Sequence, residues 1–268
     1  MDLLRPPPSS SDFLRQGLTW QLLIDAAGRP AAENMAVDEA LLLAADRTGA
    51  AFLRLYHWTP PALSFGRNEP ALRRYDRAAI ERLGLAVVRR PTGGRAVWHE
   101  HEVTYAVAAP MAVFGSPRRA YRAIHARLAD ALCALGAPAE LAPDGHGDAR
   151  ERGARGAGPC FAAPVGGEVT VGGRKVVGSA QVRHGAAFLQ HGSILLDGTQ
   201  EMIARVSRRA GTAPAATTLS AALGRAVSFD GVARAIVAAW GEPLTPSAPV
   251  RPRPSSTAFT DPAWTWRR

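Results

Sequence analysis

Two side chains suited to covalent chemistry, Cys160 and Lys175, lie fifteen positions apart. Lys175 is the only lysine, so 31 of the 32 lysine and arginine residues are arginines. A lysine ammonium is a compact charge that lowers the pKa of a nearby thiol from its free value of about 8.5 and stabilises a developing oxyanion. The pair therefore suggests a nucleophilic cysteine poised by a lysine. The alternatives are a buried structural cysteine and a lysine placed by chance.

A glycine-containing turn follows a strand in RRPTGGRAVWHEHEVTY (89–105). Gly93 and Gly94 would allow a ligand to approach the main chain closely, beside the paired arginines. The segment matches neither the phosphate-binding loop G-x-x-x-x-G-K-[ST] nor the dinucleotide fingerprint G-x-G-x-x-G. His99 and His101 are expected on one face of a strand, but two histidines do not make a metal site, and no metal is predicted.

A third polar segment is GSAQVRHGAAFLQHGSILL (178–196), which has the composition of two strands. It contains Ser179, Gln181, Gln190 and His191. These side chains either line a site or lie on a solvent-facing edge of a sheet.

The elements that must position these residues are strands and helices in mixed order. Apolar spacing predicts helices over 33–47, 75–84, 117–136 and 229–240, the last capped by Ser228. Strands are predicted over 20–27, 50–58, 62–68, 85–90, 95–110 and 186–197, with a Gly-Gly hairpin at 168–177. The pattern predicts a single α+β domain with a mixed, largely antiparallel sheet flanked by helices. It divides the chain into a disordered arm at 1–16, a catalytic domain at 17–244 and a Pro-rich tail at 245–268, with a mobile loop at 141–159.

Composition narrows the function classes. The chain has 268 residues, 47% of them hydrophobic, and a formal net charge of +9. A basic surface favours an acidic partner, yet the arginines are dispersed and no nucleic-acid motif accompanies them. The sequence lacks an apolar run long enough for a membrane span or a secretory signal, so a cytoplasmic location is expected. Two cysteines form no disulfide framework, and Cys133 is interpreted as a small core residue of a helix.

Four segments together resemble the lipoate–protein ligase and biotin–protein ligase superfamily over about residues 20–240. They are NMAVDEALL (34–42), RRPTGGRAVWHEHEVTY, GRKVVGSAQ (173–181) and LQHGSILL (189–196). PCFAAP before the lysine and the AWTWRR ending are similar to the cysteine-dependent octanoyltransferases of that superfamily. The resemblance implies Cys160 as nucleophile, Lys175 as the residue that lowers its pKa, and an acyl tunnel beside Gly93 and Gly94. It also implies a set of substrate-binding residues: Arg90, Thr92, Gly93, Gly94, His99, Gly178, Ser179, Ala180, Gln190 and His191.

The same resemblance implies partners and no cofactor. Octanoyl-acyl carrier protein would be the donor, and the H protein of the glycine cleavage system or another lipoyl domain the acceptor. Arg95 stands where ATP-using ligases usually carry a third glycine, Glu100 replaces a usual Asp, and PVGGE (164–168) lacks a serine often found after that proline. A sister branch that takes octanoyl from H protein, an ATP-dependent ligase and a basic nucleic-acid-binding protein remain alternatives. Neither a nucleic-acid nor a membrane partner is predicted.

Overall fold

The computed structural model describes residues 18–143, 166–209, 216–248, 250 and 258–267. The predicted arm at 1–16, Cys160 and most of the predicted loop at 141–159 lie outside the described residues.

Twelve strands occur in the described residues. Their bounds are β1 Trp20–Arg29, β2 Ala51–Trp58, β3 Ala62–Phe65, β4 Ala86–Arg89, β5 Val97–His99, β6 Glu102–Pro110, β7 Ala139–Leu141, β8 Val169–Val171, β9 Arg174–Lys175, β10 Val177–His184, β11 Ala187–Leu195 and β12 Leu244–Pro246.

Eight α-helices accompany the strands in the same ranges. Their bounds are α1 Ala31–Thr48, α2 Ala71–Arg74, α3 Arg77–Arg82, α4 Pro117–Ala134, α5 Glu201–Arg205, α6 Leu219–Leu223, α7 Phe229–Ala239 and α8 Pro262–Thr265. No helix of the described residues is both long enough and apolar enough to span a membrane.

The strands form one large and two small sheets. The six-stranded sheet has the order β10-β11-β6-β2-β1-β12, antiparallel from β10 to β2 and parallel from β2 to β12. The small sheets have the orders β4-β3-β5 and β7-β8-β9. This mixed sheet with flanking helices confirms the predicted α+β class. The segments β7 and α2 were not predicted, because three or four residues show no measurable periodicity.

Helices cover both faces of the large sheet because each strand alternates its side chains between them. On one face α1 packs its buried residues, including Met35 and Leu41, against β2, β6 and β11. On the other face α4 and α7 pack together above Leu53 and Val107. Ser116 caps α4 by accepting a hydrogen bond from the Arg119 amide, which places the predicted apolar stripe of that helix against the sheet. The expectation for Cys133 is wrong: it lies on the exposed side of α4.

Arg89, at the end of β4, links the segment that contains α8 to the β4-β3-β5 sheet. Among the described residues, its buried guanidinium donates hydrogen bonds only to backbone carbonyl oxygens. Burial, together with the charge of Arg267, lowers the pKa of Arg89 to about 10. The carbonyl acceptors come from two segments: Gly66, Arg67 and Glu69 after β3, and Trp264, Thr265 and Arg267 in and after α8.

Candidate active site

A cavity opens between the large sheet and the β4-β3-β5 sheet. The cavity is lined from β2, β5, β6, β10, β11 and the end of β4, by Tyr56, Trp58, Arg90, Val97, His99, Thr104, Gly178, Ser179, Ala180, His191, Gly192 and Ser193. Six of the ten predicted substrate-binding residues are among them.

Arg90 fixes the conformation of the glycine turn at one side of this cavity. Its guanidinium donates to the backbone oxygens of Ser64, Gly93 and Arg95, at 2.9, 3.1 and 2.8 Å. The Arg67 amide donates to the Thr92 carbonyl at 2.7 Å. Gly94 has φ +89°, which favours glycine. The turn is therefore held by hydrogen bonds to its main chain, most of them from the Arg90 side chain.

We expect Gly66→Ala to displace this turn and to lower the free energy of unfolding by about 1–3 kcal/mol, the usual cost of overpacking. A Cβ at Gly66 would lie 2.0 Å from the Gly94 carbonyl oxygen, which belongs to the main chain and cannot rotate away. Urea unfolding of the two proteins measures the difference.

Gly93→Ala is the matched control, because its Cβ would meet no atom within 4 Å and its φ is not in the left-handed region. We expect its stability to stay within about 0.5 kcal/mol of wild type. Equal stability of the Gly66→Ala and Gly93→Ala proteins would contradict the close approach of β3 to the turn.

A buried polar cluster lies beneath the turn. His191 donates through Nδ1 to Asp38 at 2.8 Å, and its Nε2 lies 2.6 Å from the Thr92 hydroxyl. Asp38 also accepts from the Arg54 guanidinium and the Tyr56 hydroxyl, each at 2.8 Å. Burial opposes the charge of Asp38, but the His191 hydrogen bond and the Arg54 charge outweigh it and hold the pKa of Asp38 below its usual value. Thr92 thus reaches the site through His191 rather than by lining the cavity.

His99 lies at the wall of the cavity with its ring stacked on Trp58, 4.0 Å between centroids. Its Nε2 lies 2.7 Å from the Ser64 hydroxyl, and its Nδ1 has no hydrogen-bond partner among the described residues. Burial lowers the pKa of His99, against the opposing effect of the Glu102 carboxylate. The expectation that His101 shares a strand face with His99 is wrong, because β5 ends at His99 and His101 is exposed.

Lys175 occupies the second strand of the predicted hairpin and is buried. Its ammonium donates to the Glu168 carboxylate at 2.6 Å, and Glu168 is also buried. Backbone hydrogen bonds hold the main chain at Lys175 in place. The Thr217 amide donates to the Lys175 carbonyl, and the Leu195 amide donates to the Val176 carbonyl. Three residues after Lys175 the chain enters the cavity wall at Gly178. The lysine is therefore held in one place next to the site.

A row of side-chain hydrogen bonds runs behind the cavity wall, on the face of the sheet that α4 covers. Ser179 Oγ lies 2.7 Å from the Tyr105 hydroxyl and 2.8 Å from His125 Nε2. Gln190 donates to the Tyr105 hydroxyl at 2.7 Å and accepts from Gln181 at 2.6 Å. Gln190 and His191 are buried, so the alternative that they lie on a solvent-facing edge is wrong. The hydroxyl of Ser179 is directed at this row.

Sequence reasoning missed Glu168, His125 and Tyr105. Glu168 was the acidic residue nearest to Lys175 across a predicted hairpin, which is a signal that could have been used. His125 and Tyr105 gave no such signal, since each falls within an ordinary helical or strand pattern. The described residues contain no group of three or more His, Cys, Asp or Glu side chains able to hold a metal ion.

Comparison with known proteins places this geometry in a family. Residues 30–241 match the family model of the lipoyl protein ligase A/B catalytic domain. Octanoyltransferase LipM of Symbiobacterium thermophilum is 40% identical over 85% of this chain and 88% of its own length. The chain belongs to the lipoyl protein ligase A/B catalytic domain family. Because its relative over most of the chain is an octanoyltransferase, the chain is an acyltransferase. A second LipM octanoyltransferase, from Kyrpidia tusciae, is 45% identical over 71% of this chain and 70% of its own length.

Solved structures of the family share the fold. A lipoate protein ligase of T. acidophilum with bound lipoic acid superposes with a TM-score of 0.73 and 19% identity, covering 93% of this chain and 100% of its own. Lipoate-protein ligase A bound with ATP gives 0.74 and 18%, covering 94% and 99%. At these identities the likeness describes the arrangement of the sheets and helices, and it agrees with the fold class predicted from sequence.

Proposed function

We propose that this chain transfers an octanoyl group from octanoyl-acyl carrier protein, through a thioester on Cys160, to a lysine of a lipoyl domain such as the H protein. This is the first step in assembling a lipoate cofactor. The observation that carries the proposal is the similarity to LipM octanoyltransferases over most of the chain. The buried Lys175, three residues before the cavity wall at Gly178, supports it.

The first half-reaction is an exchange of thioesters. The Cys160 thiol gives up its proton, and the thiolate attacks the octanoyl carbonyl. The carbon–sulfur bond to the carrier breaks, and the departing carrier thiolate takes a proton in turn. A thioester is already activated, so this exchange is nearly isoenergetic and needs neither ATP nor a cofactor. Lys175 favours it by lowering the pKa of the thiol and by stabilising the oxyanion that forms on the carbonyl.

The second half-reaction forms the stable product. The neutral amine of the acceptor lysine attacks the acyl-enzyme carbonyl, a carbon–nitrogen bond forms and the carbon–sulfur bond to Cys160 breaks. The displaced Cys160 thiolate takes the proton that the amine nitrogen loses. An amide replaces a thioester, so this step runs downhill. The two half-reactions together make a ping-pong acyl transfer.

The cavity has the composition that an octanoyl chain requires. Trp58, Val97 and Ala180 offer apolar surface, and Arg90, His99 and His191 add polar groups at the walls. The cavity therefore suits an apolar chain with a polar thioester end. In this proposal Gly93 and Gly94 leave room for the chain, and Arg90 keeps the turn in place.

The positive net charge of the chain supports acidic carrier proteins as its partners. Acyl carrier proteins and lipoyl domains are typically acidic, and a net charge of +9 would speed their association. The proposal places the enzyme in the cytoplasm, where its thiol stays reduced.

The test is intact-protein mass spectrometry after mixing the enzyme with octanoyl-carrier protein in the absence of ATP. We expect one added octanoyl group on wild type and none on Cys160→Ala. Cys133→Ser is the matched control, since Cys133 is exposed on α4, and it should acylate like wild type.

Two other outcomes would replace the proposal. An adduct that forms only with octanoyl-H protein as donor would identify the amidotransferase branch. A product that needs octanoate and ATP, and that Cys160→Ala still makes, would identify a ligase and leave Cys160 without a catalytic role.

A further inference from the structure

His125 joins two parts of the site that are far apart in sequence. Its Nδ1 lies 2.7 Å from the Gly167 carbonyl oxygen, and its Nε2 lies 2.8 Å from the Ser179 hydroxyl. Gly167 precedes Glu168, the carboxylate that pairs with Lys175, and Ser179 lines the cavity. The ring of His125 is fully buried between them. One side chain of α4 therefore contacts both the lysine hairpin and the acyl cavity wall.

The partners of His125 fix where its hydrogen lies. A backbone carbonyl can only accept, so Nδ1 carries the hydrogen and donates it to Gly167. Burial lowers the pKa of His125 to about 4, with the Lys175 charge acting in the same direction and the Gly167 hydrogen bond opposing it. The ring is neutral at pH 7, so Nε2 is an acceptor and the Ser179 hydroxyl donates to it.

This assignment sets the direction of the whole row behind the cavity wall. Because Ser179 gives its hydrogen to His125, the Tyr105 hydroxyl must donate to Ser179 Oγ, at 2.7 Å. The Tyr105 oxygen in turn accepts from Gln190. A row with one consistent direction has one arrangement of its side chains, so β10 and α4 are held in a single register. The hydroxyl hydrogen of Ser179 is thereby committed to His125 and not to a ligand.

A second side chain of α4 strengthens the link to the lysine. The Tyr121 ring packs on the His125 ring with 4.0 Å between centroids, and its hydroxyl lies 3.4 Å from the Glu168 carboxylate. Tyr121 and His125 are one turn apart on the helix and meet consecutive residues, Glu168 and Gly167. The segment that carries the Lys175 partner is therefore held at two points by α4.

We propose that His125 is a positioning residue: it holds the Glu168–Lys175 pair in fixed register with the cavity wall at Ser179, and so sets where the lysine ammonium meets the reacting thioester. The role rests on the proposed function of Lys175 and Cys160. It goes beyond that function because His125 acts through the Gly167 carbonyl and the Ser179 hydroxyl, at a distance from the thioester.

The test compares His125→Leu with His125→Gln in a Cys133→Ser background. Leucine removes both hydrogen bonds, whereas the glutamine amide supplies one donor and one acceptor as the neutral ring does. We expect His125→Leu to slow octanoyl transfer to Cys160 by about tenfold or more, the scale of a small misplacement of a reacting group, and His125→Gln to restore most of the rate. The pH midpoint of Cys160 alkylation by iodoacetamide should rise in His125→Leu and return toward wild type in His125→Gln.

Ile124→Val controls for a loss of packing, because Ile124 is the buried neighbour of His125 and belongs to the apolar core. It should lower the melting temperature while leaving the acylation rate and the alkylation midpoint unchanged. A folded His125→Leu protein with the wild-type rate and midpoint would overturn the proposal, as would an Ile124→Val protein that loses activity in proportion to its stability.

A measurement on wild type separates this proposal from the proposed function. Nitrogen-15 NMR of histidine-labelled enzyme should show His125 neutral, with its hydrogen on Nδ1, whatever the acyl donor. A hydrogen on Nε2 would overturn the positioning role even if Cys160 acylates. Conversely, a wild-type enzyme that forms no Cys160 adduct with any octanoyl thioester would refute the function and leave the hydrogen-bond geometry of His125 intact.

Discussion

Lys175→Met is expected to slow acyl transfer to Cys160 by roughly 10²- to 10³-fold. In the proposed mechanism the Lys175 ammonium lowers the pKa of the Cys160 thiol and faces the reacting carbonyl. Its loss would then return the thiol toward its free pKa of about 8.5, which lowers the thiolate fraction at neutral pH by about tenfold. Loss of the charge facing the carbonyl oxygen removes transition-state stabilisation that is commonly worth about 10²-fold or more. Lys175→Arg keeps the charge on a larger planar group and should still be slower than wild type, because only lysine offers a compact ammonium. Rapid-quench mass spectrometry of the octanoyl adduct measures each rate.

The buried partner of Lys175 requires its own control. In Lys175→Met the Glu168 carboxylate keeps a buried charge without the ammonium that faces it at 2.6 Å. Removing one member of a buried pair commonly costs about 3–5 kcal/mol, so the single variant will be less stable. The double variant Lys175→Met/Glu168→Gln should regain much of that stability without regaining rate. Full acylation by either folded protein would exclude the proposed role of Lys175.

Asp38→Ala is expected to lower the free energy of unfolding by about 3–5 kcal/mol. The substitution removes a carboxylate that pairs with the buried guanidinium of Arg54. Arg54 has no exposed surface and donates to Asp38 at 2.8 Å, and His191 loses its acceptor in the same substitution. Asp25, the second carboxylate on Arg54, is partly exposed and can compensate only in part. Urea unfolding at neutral pH measures the loss.

The pH dependence of the free energy of unfolding is a second test of the Asp38–Arg54 pair. Because the pKa of Asp38 is lowered in the folded state, its contribution to stability is present above the ordinary carboxylate pKa and is lost as the pH falls through the folded value. The difference between wild type and Asp38→Ala should therefore be constant near neutrality and shrink only below about pH 4.

The matched control for Asp38→Ala is Glu81→Ala, which breaks the exposed pair between Arg77 and Glu81. Such surface pairs contribute about 0–1 kcal/mol. An Asp38→Ala protein that loses no more stability than Glu81→Ala would show that Asp25 and the surrounding hydrogen bonds satisfy Arg54 by themselves.

Sequence alone predicted most of the fold because the long elements carry strong periodicity. The apolar stripe of α4 and the Gly-Gly hairpin before Lys175 were both placed within a few residues of their observed bounds. Cys133 was misplaced because it lies at the margin of the α4 stripe, where one helical position decides between core and solvent. The short β7 and α2 were missed, since they are stabilised by their neighbours rather than by a pattern of their own.

For the candidate site too, the sequence indicated some of the residues and gave no sign of others. The resemblance to the ligase superfamily pointed to Arg90, His99 and His191, which line the cavity. It did not find that Asp38 meets His191, or that His125 meets Ser179. Those contacts join residues 153 and 54 positions apart, and each pairs a helix residue with a strand residue, so only the packing of the helices on the large sheet brings them together.

The guanidinium of Arg89 imposes an order on folding. Its carbonyl partners on α8 lie about 175 positions later in the chain than β4. At a synthesis rate of about 5–20 residues per second, the ribosome would make β4 roughly 10–35 s before those partners exist. During that interval the β4-β3-β5 sheet would have to bury the Arg89 charge while half of its carbonyl acceptors are missing. The β4-β3-β5 sheet, and with it the glycine turn beside the cavity, is therefore expected to reach its native form only after synthesis has passed α8.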